Sequence, residues 1–254
     1  MSDTAEYQNG NDQPMPFRLA KAWCSQWPDK LALDLAPDMI MTCEGYIWEV
    51  NSVILTEQCT FYETERVGYE VEMRRGTGKK YVYKEEGYYS MGPGRLDARI
   101  QLIYTGYIKD LRQCYGEETL MCTIANVWKD GQFYDCLVMK RYAYAAIKWA
   151  MSLWIAEYQK RLPEKKPTND LLSHLLDALE VMFEPKEPDD FETSEEEMRE
   201  VFQRGTHLAL EELVGHRRFQ KLLCKSPLLG KYIGPMEVLA PPFPPEKPDL
   251  DPQE

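Results

Sequence analysis

The sequence predicts an α+β protein in which a short β-hairpin leads into amphipathic helices, with more helical patterns filling the C-terminal half. Three observations carry that expectation. Met39-Ile40-Met41-Thr42-Cys43 and Tyr46-Ile47-Trp48-Glu49-Val50 are strand-like runs on either side of Glu44-Gly45, where glycine supplies the positive φ that a tight hairpin turn needs. Ser52-Val53-Ile54-Leu55 and Phe61-Tyr62 then place apolar groups at helical spacing, and Asn51 or Ser52 can cap the first turn by accepting backbone N–H groups. A second helix is expected from Leu96, with an apolar face that runs into Tyr104-Thr105-Gly106.

Leu120 to Val127 and Lys140 to Tyr158 read as further helices. In the second, Ile147, Met151, Trp154, Ile155 and Tyr158 recur at three- and four-residue steps, the mark of a core-facing stripe. Two prolines in Gln159-Lys160-Arg161-Leu162-Pro163-Glu164-Lys165-Lys166-Pro167 break the pattern and mark a linker over residues 159–168. Beyond it, Leu171-Leu172, Leu175-Leu176, Leu179 and Met182-Phe183 follow the cap candidate Asp170, and Met198 to Leu213 repeats the signal after Thr193 or Ser194 with Glu196 or Glu197. The organisation read from the chain is therefore an N-terminal arm over 1–30, a domain over 31–158, the linker, a helical extension over 169–234 and a proline-rich tail over 235–254. Residues 1–16 are rich in Asp, Asn, Gln and Pro, and the tail begins with Pro241-Pro242-Phe243-Pro244-Pro245, so both ends are expected to be partly disordered.

Composition narrows the function classes. The 254 residues, 44% of them apolar and 12% aromatic, can bury a sizeable core. A net charge of −12 argues against general attraction to nucleic acid, which needs a basic face that releases counterions from phosphates. The seven cysteines are scattered and mostly embedded in apolar periodic segments, favouring reduced, buried thiols and a cytoplasmic or nuclear location. No apolar run reaches the roughly 18–20 residues of a membrane helix, and the N-terminus lacks a basic then apolar leader. The basic run at 159–167 could serve nuclear import, but Pro163 and Glu164 interrupt it. Gly76-Thr77-Gly78-Lys79 fails as a phosphate loop on spacing and on the missing hydroxyl, and no nucleophile elbow, zinc-helix motif or dinucleotide turn occurs. With three histidines and no two cysteines closer than eight residues, neither a catalytic constellation, a metal site nor a cofactor is expected.

Taken in order, Asp38, the hairpin, Val50, Leu55, Phe61-Tyr62 and the helix closing on Tyr104-Thr105-Gly106 resemble the BTB/POZ domain. Trp48 takes a position where phenylalanine is usual in the family, Asn51 one where histidine is usual, and Thr60 one where proline is usual. A third match is Tyr134-Asp135-Cys136-Leu137-Val138-Met139-Lys140-Arg141-Tyr142-Ala143, similar to the family's Tyr-Asp turn into a helix, with Met139 replacing leucine. The resemblance covers about residues 36–157, and the layout resembles the fungal stand-alone type, whose members commonly carry a helical tail, often with acidic spacers. The run from Glu184 to Glu197 and the closing Phe219-Gln220-Lys221-Leu222-Leu223 fit that layout.

The resemblance implies a small mixed sheet flanked by a cluster of helices, with a helical C-terminal extension. It implies protein recognition with no chemistry required: a module that self-associates as a homodimer or scaffolds one protein partner. A substrate adaptor of a cullin-based ubiquitin ligase is the alternative. Family members that bind cullin often present an apolar residue, any residue and then glutamate; Tyr69-Glu70-Val71 offers Tyr69 but has valine in place of the acid. An enzyme with a non-obvious site is a second alternative. The candidate partner-binding residues are Asp38, Asn51, Tyr69, Glu70, Val71 and Tyr134, Asp38 being read equally as a dimer contact or as a turn-capping group.

Overall fold

A computed structural model describes residues 17–19, 37–64, 70–73, 79–84, 92–116, 119–163, 167–183, 196–226, 229–230 and 250–252. The architecture is mixed α+β and mostly helical. It divides into two compact units, one of Asn11–Glu117, Val127–Tyr142 and Asp249–Glu254, the other of Met1–Gly10, Glu118–Asn126 and Ala143–Pro248.

The sheet unit contains, in chain order, β1 (Phe17–Leu19), β2 (Met39–Cys43), β3 (Tyr46–Val50), α1 (Ser52–Gln58), α2 (Thr60–Thr64), β4 (Glu70–Met73), β5 (Lys79–Lys84), α3 (Pro93–Thr105), α4 (Leu111–Tyr115) and, from the far end of the chain, β6 (Leu250–Pro252). β1 pairs with β6, and the other strands form one sheet in the order β3-β2-β5-β4. β2 and β3 are antiparallel across Glu44-Gly45, from Cys43 opposite Tyr46 to Met39 opposite Val50. Both turn residues hold positive φ, 48° and 85°, as a two-residue turn matched to strand twist requires. The sequence signals this at the glycine; Glu44 carries the same backbone conformation without that licence.

β5 lies parallel to β2, and β4 antiparallel to β5. Parallel neighbours need a crossover, and β3, α1, α2 and β4 lie in the connection. As a central strand, β2 buries Met39, Ile40, Met41 and Cys43, a near-continuous apolar run in place of alternation.

α3 opens with Pro93 in its first turn and ends at Gly106, whose φ of 68° lets its N–H return 2.9 Å to the Leu102 carbonyl. The helix approaches α4 at Gly94, where a Cβ would stand 2.5 Å from the Cys114 carbonyl oxygen. Beneath, the Tyr115 hydroxyl donates to buried Asp130 at 2.9 Å, and Arg95 reaches the same carboxylate at 3.4 Å.

Two helices have residues in both units: α5 (Leu120–Phe133) and α6 (Leu137–Arg161). Each is longer than the periodicity alone suggests. α5 continues through Gly131, where a Cβ would meet the Lys140 backbone nitrogen and Met139 Cβ at 3.0 Å; the residue that looks like a stop is there for close approach.

The helical unit adds α7 (Asn169–Phe183), α8 (Glu196–Leu208), α9 (Leu210–Val214) and α10 (Arg217–Lys225). The expected stripe on α7 is buried at Leu171, Leu172, Leu175, Leu176, Leu179, Met182 and Phe183. The Trp154 indole N–H donates to the Leu171 carbonyl at 2.8 Å, and its ring stacks on Tyr158 with centroids 5.0 Å apart. The Tyr158 hydroxyl donates to Glu212 at 2.9 Å, and Arg218 bridges Asp177 and Glu180 at 2.7 and 2.8 Å. Asp170 lies in the first turn of α7, where its carboxylate also accepts two N–H bonds from Arg161 at 2.7 and 3.0 Å. The helical run expected from Met198 to Leu213 breaks at Ala209, which leaves helical geometry with ψ of 10°. Among the described residues, no helix is long and apolar enough to cross a membrane.

Candidate protein-interaction surface

The hairpin register places Met39 opposite Val50, so Asp38 arrives beside the start of α1. Its carboxylate accepts the Ser52 backbone N–H at 2.7 Å and the Ser52 hydroxyl at 2.6 Å. That is helix capping from fourteen residues upstream. Asn51, expected to cap from its own side chain, makes no cap bond. Its backbone N–H instead donates to the Tyr104 hydroxyl at 2.7 Å. Burial pushes the Tyr104 phenol above its ordinary pKa, with the Asp38 charge adding to the rise and the Asn51 bond opposing it; a neutral phenol is the acceptor this bond uses.

The Tyr-Thr-Gly motif thereby resolves into three tasks. Tyr104 ties α3 to the strand-helix junction, Thr105 returns its hydroxyl to the Gln101 carbonyl at 2.7 Å, and Gly106 closes the helix. Two turns before Tyr104, Asp97 accepts the Trp48 indole N–H at 3.0 Å and the Gln101 amide at 2.7 Å. β3 is thus pinned to α3 along the side that carries Trp48.

Outward, the apolar character is unspent. Tyr46 and Ile47 on β3 are 61% and 64% exposed, and Val53 on α1 is 51% exposed. Tyr46 stacks on Trp48 with centroids 6.1 Å apart, which restricts the ring without covering it. β3 is also an edge of the four-stranded order, and strand edges can template pairing with another chain.

The remaining candidates lie elsewhere. Glu70 and Val71 sit on β4, the opposite edge, in register with Val82 and Tyr81. Tyr69 falls outside the described residues. Tyr134 is fully buried: the Arg99 guanidinium carbon lies 3.3 Å from its ring centroid, and Phe61 and Phe133 meet it edge-on at 5.0 and 4.8 Å. It belongs to the core, where the aromatic face offsets part of the cost of burying a cation. Arg99, only 1% exposed, also donates to the Tyr62 hydroxyl at 2.6 Å.

Arg99, Asp97, Tyr46 and Ile47 stand outside the candidate residues that the motifs mark in the sequence. A signal for Arg99 existed, because it lies three residues from both Leu96 and Leu102 and so shares their buried face. The chain matches no protein-family model and no curated protein.

Proposed function

We propose that this chain is a protein-interaction module with a BTB/POZ-like core, which self-associates or scaffolds a protein partner in the cytoplasm or nucleus. The observation that carries the reading is the pair of exposed apolar side chains, Tyr46 and Ile47, on an edge strand of the mixed sheet. As consecutive strand residues they project to opposite faces, so the contact they support is the β3 edge between them and not one face of the sheet. The BTB-like part rests on the motif residues and their work: Asp38 on α1, Tyr104 on Asn51, and the Gly106 helix end. The reading requires no catalytic group and no cofactor. Valine at position 71, where cullin-binding members carry glutamate, favours self-association or a scaffold over a ligase adaptor.

Light scattering coupled to size-exclusion chromatography on the full chain, across a micromolar concentration series, tests this. We expect a dimer, and a shift toward monomer for Ile47→Glu, which sets a charge on the edge strand. A strict monomer at every concentration sinks the self-association, and a dimer indifferent to Ile47→Glu removes β3 from it.

A further inference from the structure

We propose that Cys59 and Cys136 are an oxidisable thiol pair, a modification site at which a hydroperoxide closes a disulfide between the α1–α2 junction and the α5–α6 junction. The proposal is independent of the interaction reading. The two residues face each other across an isolated antiparallel bridge. Their own N–H groups turn away, to the Leu55 and Gly131 carbonyls at 2.8 and 2.7 Å, while the flanking Thr60 N–H donates to the Asp135 carbonyl at 3.4 Å. That is the pattern of a non-hydrogen-bonded antiparallel pair, whose Cα atoms stand about 4.5 Å apart with side chains close. A disulfide accepts Cα separations of about 4.4–6.8 Å. Bridging these sulfurs therefore needs little backbone movement.

The environment divides the labour. Cys136 caps the N-terminus of α6, its carbonyl accepting the Lys140 N–H at 3.1 Å. Burial disfavours its thiolate, yet bonds from the Cys59 thiol and the Met139 N–H, with the charges of Arg99 and Lys140, bring it below the ordinary thiol value. Burial, together with its role as donor to Cys136, pushes Cys59 up. The helix N-terminus at which Cys136 sits favours its thiolate, which makes it the nucleophile and Cys59 the resolving thiol. The Cys136 thiolate attacks one oxygen of hydrogen peroxide, the O–O bond breaks, and the departing hydroxide takes the proton lost from the Cys136 thiol and leaves as water, giving a sulfenic acid. Cys59 sulfur then attacks the Cys136 sulfur, the S–O bond breaks, and the departing hydroxide takes the Cys59 proton as a second water. Two thiols are oxidised by two electrons to one disulfide, and the peroxide is reduced.

Both thiols are fully buried, beneath exposed Thr60 and Asp135, whose side chains hydrogen-bond to each other across the bridge. Access comes through opening of that cover, so a small oxidant suits the site. Exposed Cys224 supplies an internal comparison.

The test uses the full reduced chain treated with hydrogen peroxide, quenched, unfolded with a thiol-alkylating reagent and mapped by mass spectrometry without reduction. The expected result is a Cys59–Cys136 linked peptide pair in the wild type. Cys59→Ser should leave a Cys136 sulfenic acid that dimedone traps. Recovery of Cys59 and Cys136 fully alkylated under conditions that oxidise Cys224, or linkage of either to a different cysteine, overturns the proposal.

Discussion

Replacing Asp38 by alanine separates its two readings, a cap for α1 or a contact with a partner. The carboxylate takes both the backbone N–H and the hydroxyl of Ser52. Losing a helix cap costs about 1 kcal/mol. Leaving the Ser52 hydroxyl buried without its acceptor adds about 1–2 kcal/mol. The sum, about 2–3 kcal/mol, corresponds to a fall of about 4–12 °C in the unfolding midpoint for a chain of this size. Asp38→Asn keeps one acceptor oxygen and should fall between. Adding Ser52→Ala to Asp38→Ala should cost much less than the sum of the single changes, because the hydroxyl then no longer needs a partner. Circular dichroism melting of the wild type and the four variants, Asp38→Ala, Asp38→Asn, Ser52→Ala and the double change, is the assay. A midpoint within about 1 °C of wild type for Asp38→Ala would refute the capping account, and a loss of dimer mass at unchanged stability would assign the residue to an interface.

Two further outcomes follow from the same structure. Gly94→Ala should destabilise by about 1–3 kcal/mol in chemical denaturation, because its Cβ meets the backbone carbonyl of Cys114 at 2.5 Å and backbone cannot rotate aside; a stabilised variant would show that α3 and α4 are not packed this closely. Burial holds His174 below its ordinary pKa against the pull of Asp170 and Asp177, with Arg161 acting in the same direction as burial. The unfolded chain therefore binds this proton first as pH falls through about 6.5. Stability should drop between neutral pH and the lowered folded-state value, and His174→Gln should flatten that part of the melting profile; an unchanged slope would contradict it.

Local chemistry was readable and remote chemistry was not. Both hairpin strands are bounded where Glu44-Gly45 and the apolar runs put them, since turn geometry and strand pattern are short-range. The leucine stripe of α7 was plain for the same reason. The β4 strand was missed although Glu70-Val71-Glu72-Met73 alternates, because only pairing with β5 makes so short and acidic a segment extended. Position 51 looked like a cap from its neighbours alone, whereas the acceptor comes from across the hairpin. Tyr134 stood out in a motif and read as a surface residue; its ring is spent on Arg99, a partner that only tertiary structure brings near. The exposure of Tyr46 and Ile47 was hidden inside a strand pattern that does not say which strand ends at the edge of the sheet.

The parallel pairing of β2 with β5 also bears on how the chain is made. The hairpin closes across two residues and can form as soon as it is free, within microseconds. The partner for the other edge of β2 begins about forty residues later, with Tyr81 opposite Met39. At a synthesis rate of about 5–20 residues per second, Met39-Ile40-Met41 waits seconds for it. A strand that ends buried in the middle of the sheet is thus held for seconds with an unmet edge on a nascent chain, and that interval is when a chaperone or a neighbouring chain competes for it.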